Sequence, residues 1–304
     1  MKNYLKQTRH HSLKHFDSKT SKRFHWNIIT ICNHKCDYCY SRAAEFQWNK
    51  ITTSKIIEDV INKLSKVNGL KEIFVLGGEP TMHPKYFEIL EKLYNIKDVE
   101  VLGNITNGAY KDYKSMIDKH LIFKDKFYWN VTYHPLEAND DNFKETILYI
   151  KKQGFILNVN LLLDIRSKEK IEKMLEFCTT NNISIYPSFL FENDEFIPFN
   201  DIDWLNNINE KYNPPKELHY FTENEEYVYN DIDTYLKNLN SFTGWNCINN
   251  SFTIPVNETF FSQFCTSKQF SIEDINKGQA EVICNLKTCI CPSRLGDEKF
   301  RIIT

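Results

Sequence analysis

Three cysteines, Cys32, Cys36 and Cys39, stand within "CNHKCDYC", directly after the apolar run Trp26 to Ile31. Thiolates are soft ligands for zinc and iron. A disulfide would use two of the three and strand the third. A zinc ion would need a fourth ligand from elsewhere in the chain. A cubane iron–sulfur cluster would not: each thiolate holds one iron, and the fourth iron stays open to a small chelating molecule. Other short groups of polar or backbone-permissive residues recur along the chain: "GGEP" at 77–80, "TNG" at 106–108 and "HP" at 134–135. A second set of thiols, Cys247, Cys265, Cys284, Cys289 and Cys291, gathers five of the nine cysteines late in the sequence.

Such groups need elements to position them. "HWNIITI" (25–31), "EIFVL" (72–76), "VEVLGNIT" (99–106), "KFYWNVTY" (126–133), "FILNVNLLLD" (155–164) and "ISIYPSFLF" (183–191) read as strands. Helix-period runs alternate with them at 54–67, 84–94, 108–120, 140–153 and 167–181. Ser54 and Ser167 are the expected caps of the first and last, Pro84 suits a first turn, and Gly154 ends the fourth. Strict alternation of this kind predicts parallel βα units with right-handed crossovers. Six repeats are too few for a closed eight-stranded barrel, so an open doubly wound sheet and a partial (β/α)6 TIM-type barrel both fit. In either, ligands bind beyond the C-terminal ends of the strands. The cysteine triplet, "GGEP", "TNG" and "HP" all fall there, after the first four strands in turn.

The triplet spacing C-x3-C-x2-C after the first strand, with Tyr38 before the last cysteine and "GGEPTMHP" after the second strand, resembles the radical SAM superfamily over residues 24–191. That resemblance implies an α/β fold, a partial (β/α)6 barrel, with a [4Fe-4S] cluster on Cys32, Cys36 and Cys39. It implies S-adenosylmethionine bound at the open iron and cleaved by one electron to a 5'-deoxyadenosyl radical, which takes a hydrogen atom from a substrate. By the same resemblance, Tyr38 backbone meets the adenine, Gly77 and Gly78 let the backbone approach the methionine amino group, and Glu79 and Pro80 help orient it. Thr106, Asn107, Thr132 and Asn160 lie on the strands that would touch the methionine carboxylate or ribose, each with an ordinary strand or turn role as the alternative. His134 is a candidate acid/base toward substrate, with a capping or packing role open.

The later thiols resemble the SPASM/twitch extensions of the same superfamily, a small Cys-rich β-hairpin and helix unit. Cys247 and Cys265 flank the hairpin "SFTIPVNETFFSQF", with its turn at Asn257 and Glu258. The resemblance implies one auxiliary [4Fe-4S] cluster on Cys247, Cys265, Cys284 and one of Cys289 or Cys291, a structural zinc site being the alternative. Cys291, or Cys289, is also a candidate hydrogen-atom donor. Cys178, on the apolar face of a helix, reads as a buried core thiol.

The expected organisation is a basic arm (1–23), the barrel core (24–191), an acidic linker or insert (192–245) and the auxiliary unit (246–304). The acidic stretch, opposed between 192 and 233 only by Lys211 and Lys216, reads as a solvated face or a surface for a basic substrate. A net charge of -2 over 304 residues exerts no overall pull toward nucleic acid or anionic membrane. No apolar run reaches the roughly 18–20 residues of a membrane helix. An odd cysteine count without a secretory signal argues against a disulfide framework and for a cytoplasmic setting. The expected function is therefore radical chemistry on a small-molecule or peptide substrate, fed by a flavodoxin- or ferredoxin-type electron donor. An RNA-modifying enzyme is the alternative supported by the basic arm alone. A non-catalytic iron–sulfur or zinc protein would leave "GGEP" without a purpose.

Overall fold

The computed structural model describes residues 2–5, 21–39, 50–192, 195–214, 216, 218–221, 225–262, 268–278, 280–287, 289 and 298–302. Its first half runs β1 (Lys2–Leu5), β2 (Ser21–Ile29), α1 (Ser54–Ser65), β3 (Leu70–Gly77), α2 (Tyr86–Tyr94), β4 (Val99–Thr106), α3 (Tyr113–Asp118), β5 (Phe127–Tyr133), α4 (Asp140–Lys152), β6 (Ile156–Leu163), α5 (Lys168–Thr180) and β7 (Ser184–Phe189). Strands β2 to β7 pair in parallel and in sequence order, the arrangement of a partial barrel.

Alternation along each strand sorts the side chains. Trp26 and Ile28, Ile73 and Val75, and Trp129 and Val131 face outward and share one core with the helix residues Ile57, Leu64, Leu90 and Phe143. Each fully buried aliphatic or aromatic side chain here contributes about 1.5–3 kcal/mol of transfer free energy. The inner face holds a separate small cluster, Phe74, Val101 and Tyr128. Pro187 lies in β7, at the edge of the sheet, where its missing N–H costs no ladder bond.

Local chemistry adjusts several expected boundaries. Thr53, not Ser54, caps α1: its side chain accepts from the Ile56 N–H. The helix expected over 108–120 shrinks to α3. Gly108 has φ +69° and donates to Thr106 Oγ1, and Tyr110 N–H bonds back to Gly108, so the chain holds a loop until Asp112 caps Ser115. Ser167 precedes α5 without making a side-chain cap bond.

The chain then continues through β8 (Phe191–Glu192), β9 (Glu195–Phe196), α6 (Ile202–Tyr212), β10 (Leu218–Phe221), β11 (Glu226–Tyr229), α7 (Asp231–Leu236), β12 (Asn246–Ile248), β13 (Ser251–Ile254), β14 (Phe261–Ser262), β15 (Gln269–Phe270), α8 (Ile272–Asn276), β16 (Glu281–Ile283) and β17 (Glu298–Ile302). Three of the expected segments pack as follows. In the acidic stretch, expected as a linker or an insert, Leu205, Ile208 and Ile232 are buried in the main core. The hairpin β13–β14 does not stand apart with the late cysteines. It joins the barrel sheet, β13 pairing in parallel with β2, because β2 offers an open edge and Phe24 meets Phe252 and Phe261 at centroid distances of 5.4 and 5.3 Å. The basic arm is structured at both described ends. Ser21–Arg23 begin β2, and β1 lies between β10 and β17 in a second, antiparallel sheet ordered β11-β10-β1-β17-β12-β16. No helix among the described residues is long and apolar enough to cross a membrane.

One buried network carries a pH signature. His120, fully buried, donates from Nδ1 to the Met116 carbonyl at 2.8 Å and accepts at Nε2 from Tyr86 Oη at 3.0 Å. Burial lowers its pKa from 6.5 to about 4, the Met116 bond opposing. The unfolded chain therefore takes up a proton near pH 6.5 that the native state refuses until about pH 4. The stabilisation is complete above the higher value and is lost as pH falls toward the lower, a total of about 3 kcal/mol. Urea midpoints at pH 7 and 4.5 should fall less in His120→Gln than in the parent; equal falls would contradict this.

Candidate metal centre

The cysteine loop begins where β2 ends. Thr52 and Thr30 bond across the base of that loop to Ile28 and Lys50, so the chain returns alongside its own strand. Three strand ends then tether the loop. From β4, Asn107 Nδ2 reaches Asn33 Oδ1 at 2.7 Å and Cys32 Sγ at 3.6 Å, and Asn33 Nδ2 donates to the Ala109 carbonyl at 3.0 Å. From β5, Glu137 accepts the Lys35 N–H at 3.0 Å. From β6, Arg166 makes two bonds to Asp37, at 2.6 and 3.1 Å, while Asp164 holds the same guanidinium at 2.9 and 2.6 Å. Hydrogen bonding to Arg166 holds the Asp37 carboxyl below its usual range.

Cys36 is buried, and Cys32 and Cys39 are half-buried. Burial, with a smaller contribution from the neighbouring thiols, raises the Cys32 thiol and pushes Cys36 up to about 12. Ionising Cys32 and Cys36 takes a nearby positive charge, which a metal centre would supply. Three soft donors within one short loop pinned from three sides fit the cubane expected for them. A second donor set overlaps it: His34, Cys36 and His134 have ligand atoms within 4.8 Å of one another.

His134, a candidate acid/base toward substrate, lies against the cysteine loop. Its Nδ1 lies 3.2 Å from Tyr38 Oη and 3.4 Å from Cys36 Sγ, and its ring stacks on Tyr38 with an interplanar angle of 6°. Burial lowers its pKa to about 4, so at neutral pH the imidazole is uncharged and Nδ1 accepts.

"GGEP" prolongs β3 beside the start of that loop. Gly78 N–H bonds Ile29 O and Glu79 N–H bonds Ile31 O, both at 2.8 Å. A Cβ at Gly77 would fall 2.1 Å from Ile29 O, and one at Gly78 2.3 Å from Ile31 O. The glycines are therefore required by the loop's own backbone. Pro80, itself buried, opens a 3-10 turn, Pro80–Met82.

Glu79 is fully enclosed, and its carboxylate accepts from Thr81 N–H, Thr81 Oγ1, Asn107 N–H and, at 2.8 and 2.9 Å, Thr106 Oγ1. Burial raises its pKa and these donors oppose. Thr106 bonds Glu79 and Tyr110, and Asn107 bonds Asn33 and the Ala109 N–H, so both join segments of the rim. Thr132 and Asn160 do lie side by side on the inner face, paired across β5 and β6, with Asn160 Oδ1 accepting from Ser188 at 2.6 Å.

Among the late cysteines, Cys265 and Cys291 lie outside the described residues. Cys247 is opposite Val282 in the β12–β16 ladder, and Cys284 stands two residues further on, hence on the same face. Cys284 and Cys289 belong to one buried cluster with Phe242. Cys178 is completely buried in α5, its thiol pushed up to about 12, as expected of a core residue. Asp37, Glu137, Asp164 and Arg166 were not singled out in the sequence. Asp164 and Arg166 follow β6 directly, so the rule that sites form at strand C-termini would have marked them. Asp37→Ala removes only an exposed ion pair, costing less than about 1 kcal/mol. It should nonetheless reduce the iron retained through gel filtration; iron equal to the parent's would contradict a tethering role.

The family model of the radical SAM superfamily matches residues 26–178. GTP 3',8-cyclase of Staphylococcus epidermidis is 24% identical over 193 residues, 58% of this chain and 53% of that protein. An S-adenosylmethionine-dependent nucleotide dehydratase of Fibrobacter is 30% identical over 93 residues, 29% of this chain and 28% of that protein. The chain thus spans about half or less of these curated relatives. Streptococcus suis SuiB, solved with its precursor peptide SuiA, matches at TM-score 0.56 and 16% identity, over 88% of this chain and 62% of that one. anSMEcpe with bound AdoMet matches at TM-score 0.52 and 17% identity, over 63% and 60%. Strand order, the pinned triplet of thiols and the family match over half the chain agree: this protein is a member of the radical SAM superfamily.

Proposed function

We propose that the chain is an enzyme that uses S-adenosylmethionine and a [4Fe-4S] cluster, both implied by its family, to begin a radical reaction on a small-molecule or peptide substrate. The observation that carries this reading is the Cys32–Cys36–Cys39 loop, held by Asn107, Glu137 and Arg166 from the ends of three strands. When bound, these groups supply one-electron cleavage of the sulfonium to methionine and a 5'-deoxyadenosyl radical that removes a hydrogen atom from substrate. The chain's part is to ligate through three thiolates, to fix the loop, and to keep water from it. Neutral His134 serves the second task by accepting at Nδ1 beside Cys36. Glu79 serves it by joining "GGEP" to "TNG". Thr132 and Asn160 offer polar contacts on the inner face.

The late cysteines support an auxiliary [4Fe-4S] cluster, with Cys247 and Cys284 on one face of a ladder and Cys289 packed beside Cys284. Two kinds of substrate have support. The curated relatives are named for nucleotides, and SuiB was solved with a peptide. A flavodoxin- or ferredoxin-type donor and a reducing, cytoplasmic setting suit the seven described cysteines, which form no disulfide. The test is anaerobic: with dithionite and S-adenosylmethionine, the parent should form 5'-deoxyadenosine and the Cys32/Cys36/Cys39→Ala variant should not. Equal yields from both would overturn the reading.

A further inference from the structure

The inner face of the barrel carries polar side chains that the cluster site does not use. Asn27 on β2, Asn130 on β5 and Asn158 on β6 each stand between residues of the outer core: Trp26 and Ile28, Trp129 and Val131, Leu157 and Val159. Successive strand residues face opposite sides, so the three amides point inward. They occupy one level. Asn130 pairs directly with Asn158, and Asn27 stands two residues beyond His25, as Asn130 stands two beyond Tyr128. His25 and Tyr128 belong to one register row through Phe74 and Gly103. The register also slips between Asn27 and Ile29, an irregularity of the kind that re-aims side chains beside binding sites.

Each of the three Oδ1 atoms is buried without a hydrogen-bond partner. Asn158 is only 4% exposed. A buried amide left this way opposes folding, and native proteins seldom tolerate it without a reason. Three on one level of one face form a row of unmet hydrogen-bonding capacity. An amide can turn either its C=O or its N–H2 edge to a ligand, so the row can answer acceptors and donors together.

The row is also uncharged. Its other described members across the sheet, Leu76 beside Asn27, Ile105 beside Asn130 and Ser184 beside Asn158, carry no charge. Farther along the inner face Arg23 and Glu72 are ion-paired at 2.6 Å, four residues before Asn27, roughly 13 Å along a strand. His25, two residues away, is the nearest titratable group on β2. Desolvating a charged ligand here would find no opposite charge.

We infer that Asn27, Asn130 and Asn158 bind an uncharged planar amide edge of the substrate, an N–H beside a C=O. A peptide bond or carboxamide carries that edge, and so does the lactam side of a nucleobase. This inference rests on the proposed function, since it places substrate inside the barrel below Thr132 and Asn160.

The test uses the full chain, purified anaerobically with its clusters, and saturation-transfer NMR with four probes: N-acetylglycinamide, guanosine, putrescine and succinate. An amide-edged probe should bind, the peptide amide or the nucleoside identifying the source, and the charged probes should not. Asn158→Leu and Asn130→Leu should each weaken that binding by about tenfold or more. Their melting temperatures should equal or exceed the parent's, because the unmet amide has gone. Failure of both amide probes, binding of the charged ones, or unchanged binding in the variants would overturn the inference. So would a clear fall in melting temperature in both variants, which marks a folding role. If one variant fails to fold, the other decides. Formation of 5'-deoxyadenosine by the parent without any probe reads the proposed function separately.

Discussion

Glu79→Ala should cost about 3–5 kcal/mol of stability, among the largest effects of any single substitution in the chain. The carboxylate has no exposed surface to speak of, and it accepts four groups: Thr81 N–H, Thr81 Oγ1, Thr106 Oγ1 and Asn107 N–H. Alanine leaves the buried Asn107 N–H and the two half-buried Thr81 donors without this acceptor, Thr106 Oγ1 keeping Tyr110, and each buried donor left unmet costs about 1–3 kcal/mol before relaxation. The loss reaches the metal centre. Asn107 carries the bonds to Asn33 and Cys32, so loosening its backbone loosens the cysteine loop. Glu79→Gln should be intermediate, since its amide nitrogen turns a donor toward donors. Urea unfolding measures the ranking, and a loss under about 1 kcal/mol for alanine would show that the network is not what joins the two rim segments.

Gly78→Ala is the second large effect. The added methyl would sit 2.3 Å from Ile31 O and 2.6 Å from Thr30 O, both backbone atoms. No rotamer relieves that clash, and the Gly78–Ile29 and Glu79–Ile31 bonds must open instead. Overpacking of this kind costs about 1–3 kcal/mol or more, and here it displaces the residues immediately before Cys32. The variant should therefore lose iron even where it stays folded. Gly244→Ala is the control: nothing lies within 4 Å of its Cβ, although its φ of +79° imposes a separate backbone strain. Iron retention equal to the parent's in Gly78→Ala would mean that the loop does not depend on this approach.

These effects show where the sequence was readable. Periodicity gave β4 to the residue, Val99–Thr106, and the remaining barrel strands to within a few residues, because each is an apolar run bounded by polar turns. The thiol triplet was readable because its spacing is local. The braces were not. Asp37 and Arg166 are 129 residues apart, and an ion pair between distant residues leaves no pattern in either neighbourhood. The second sheet was hidden for the same reason. Four residues, Lys2–Leu5, take partners at 220–221 and 299–302, and no local run announces such pairing. The hairpin at 251–262 was legible as a hairpin. Its parallel docking on β2 depends on an edge that only the folded sheet possesses. Glu79 was marked through its motif, but its role was not. A carboxylate that binds a ligand and one that braces two loops look alike until their donors are known.

The central claim is that Cys32, Cys36 and Cys39 hold a cluster to which S-adenosylmethionine binds. Low-temperature electron paramagnetic resonance of the dithionite-reduced protein tests it most directly. The account predicts a reduced-cluster signal that changes on adding S-adenosylmethionine, and loss of that responsive signal in the Cys32/Cys36/Cys39→Ala variant, with any signal from the late cysteines remaining. A parent signal indifferent to S-adenosylmethionine, or a responsive one that survives in the variant, would contradict it.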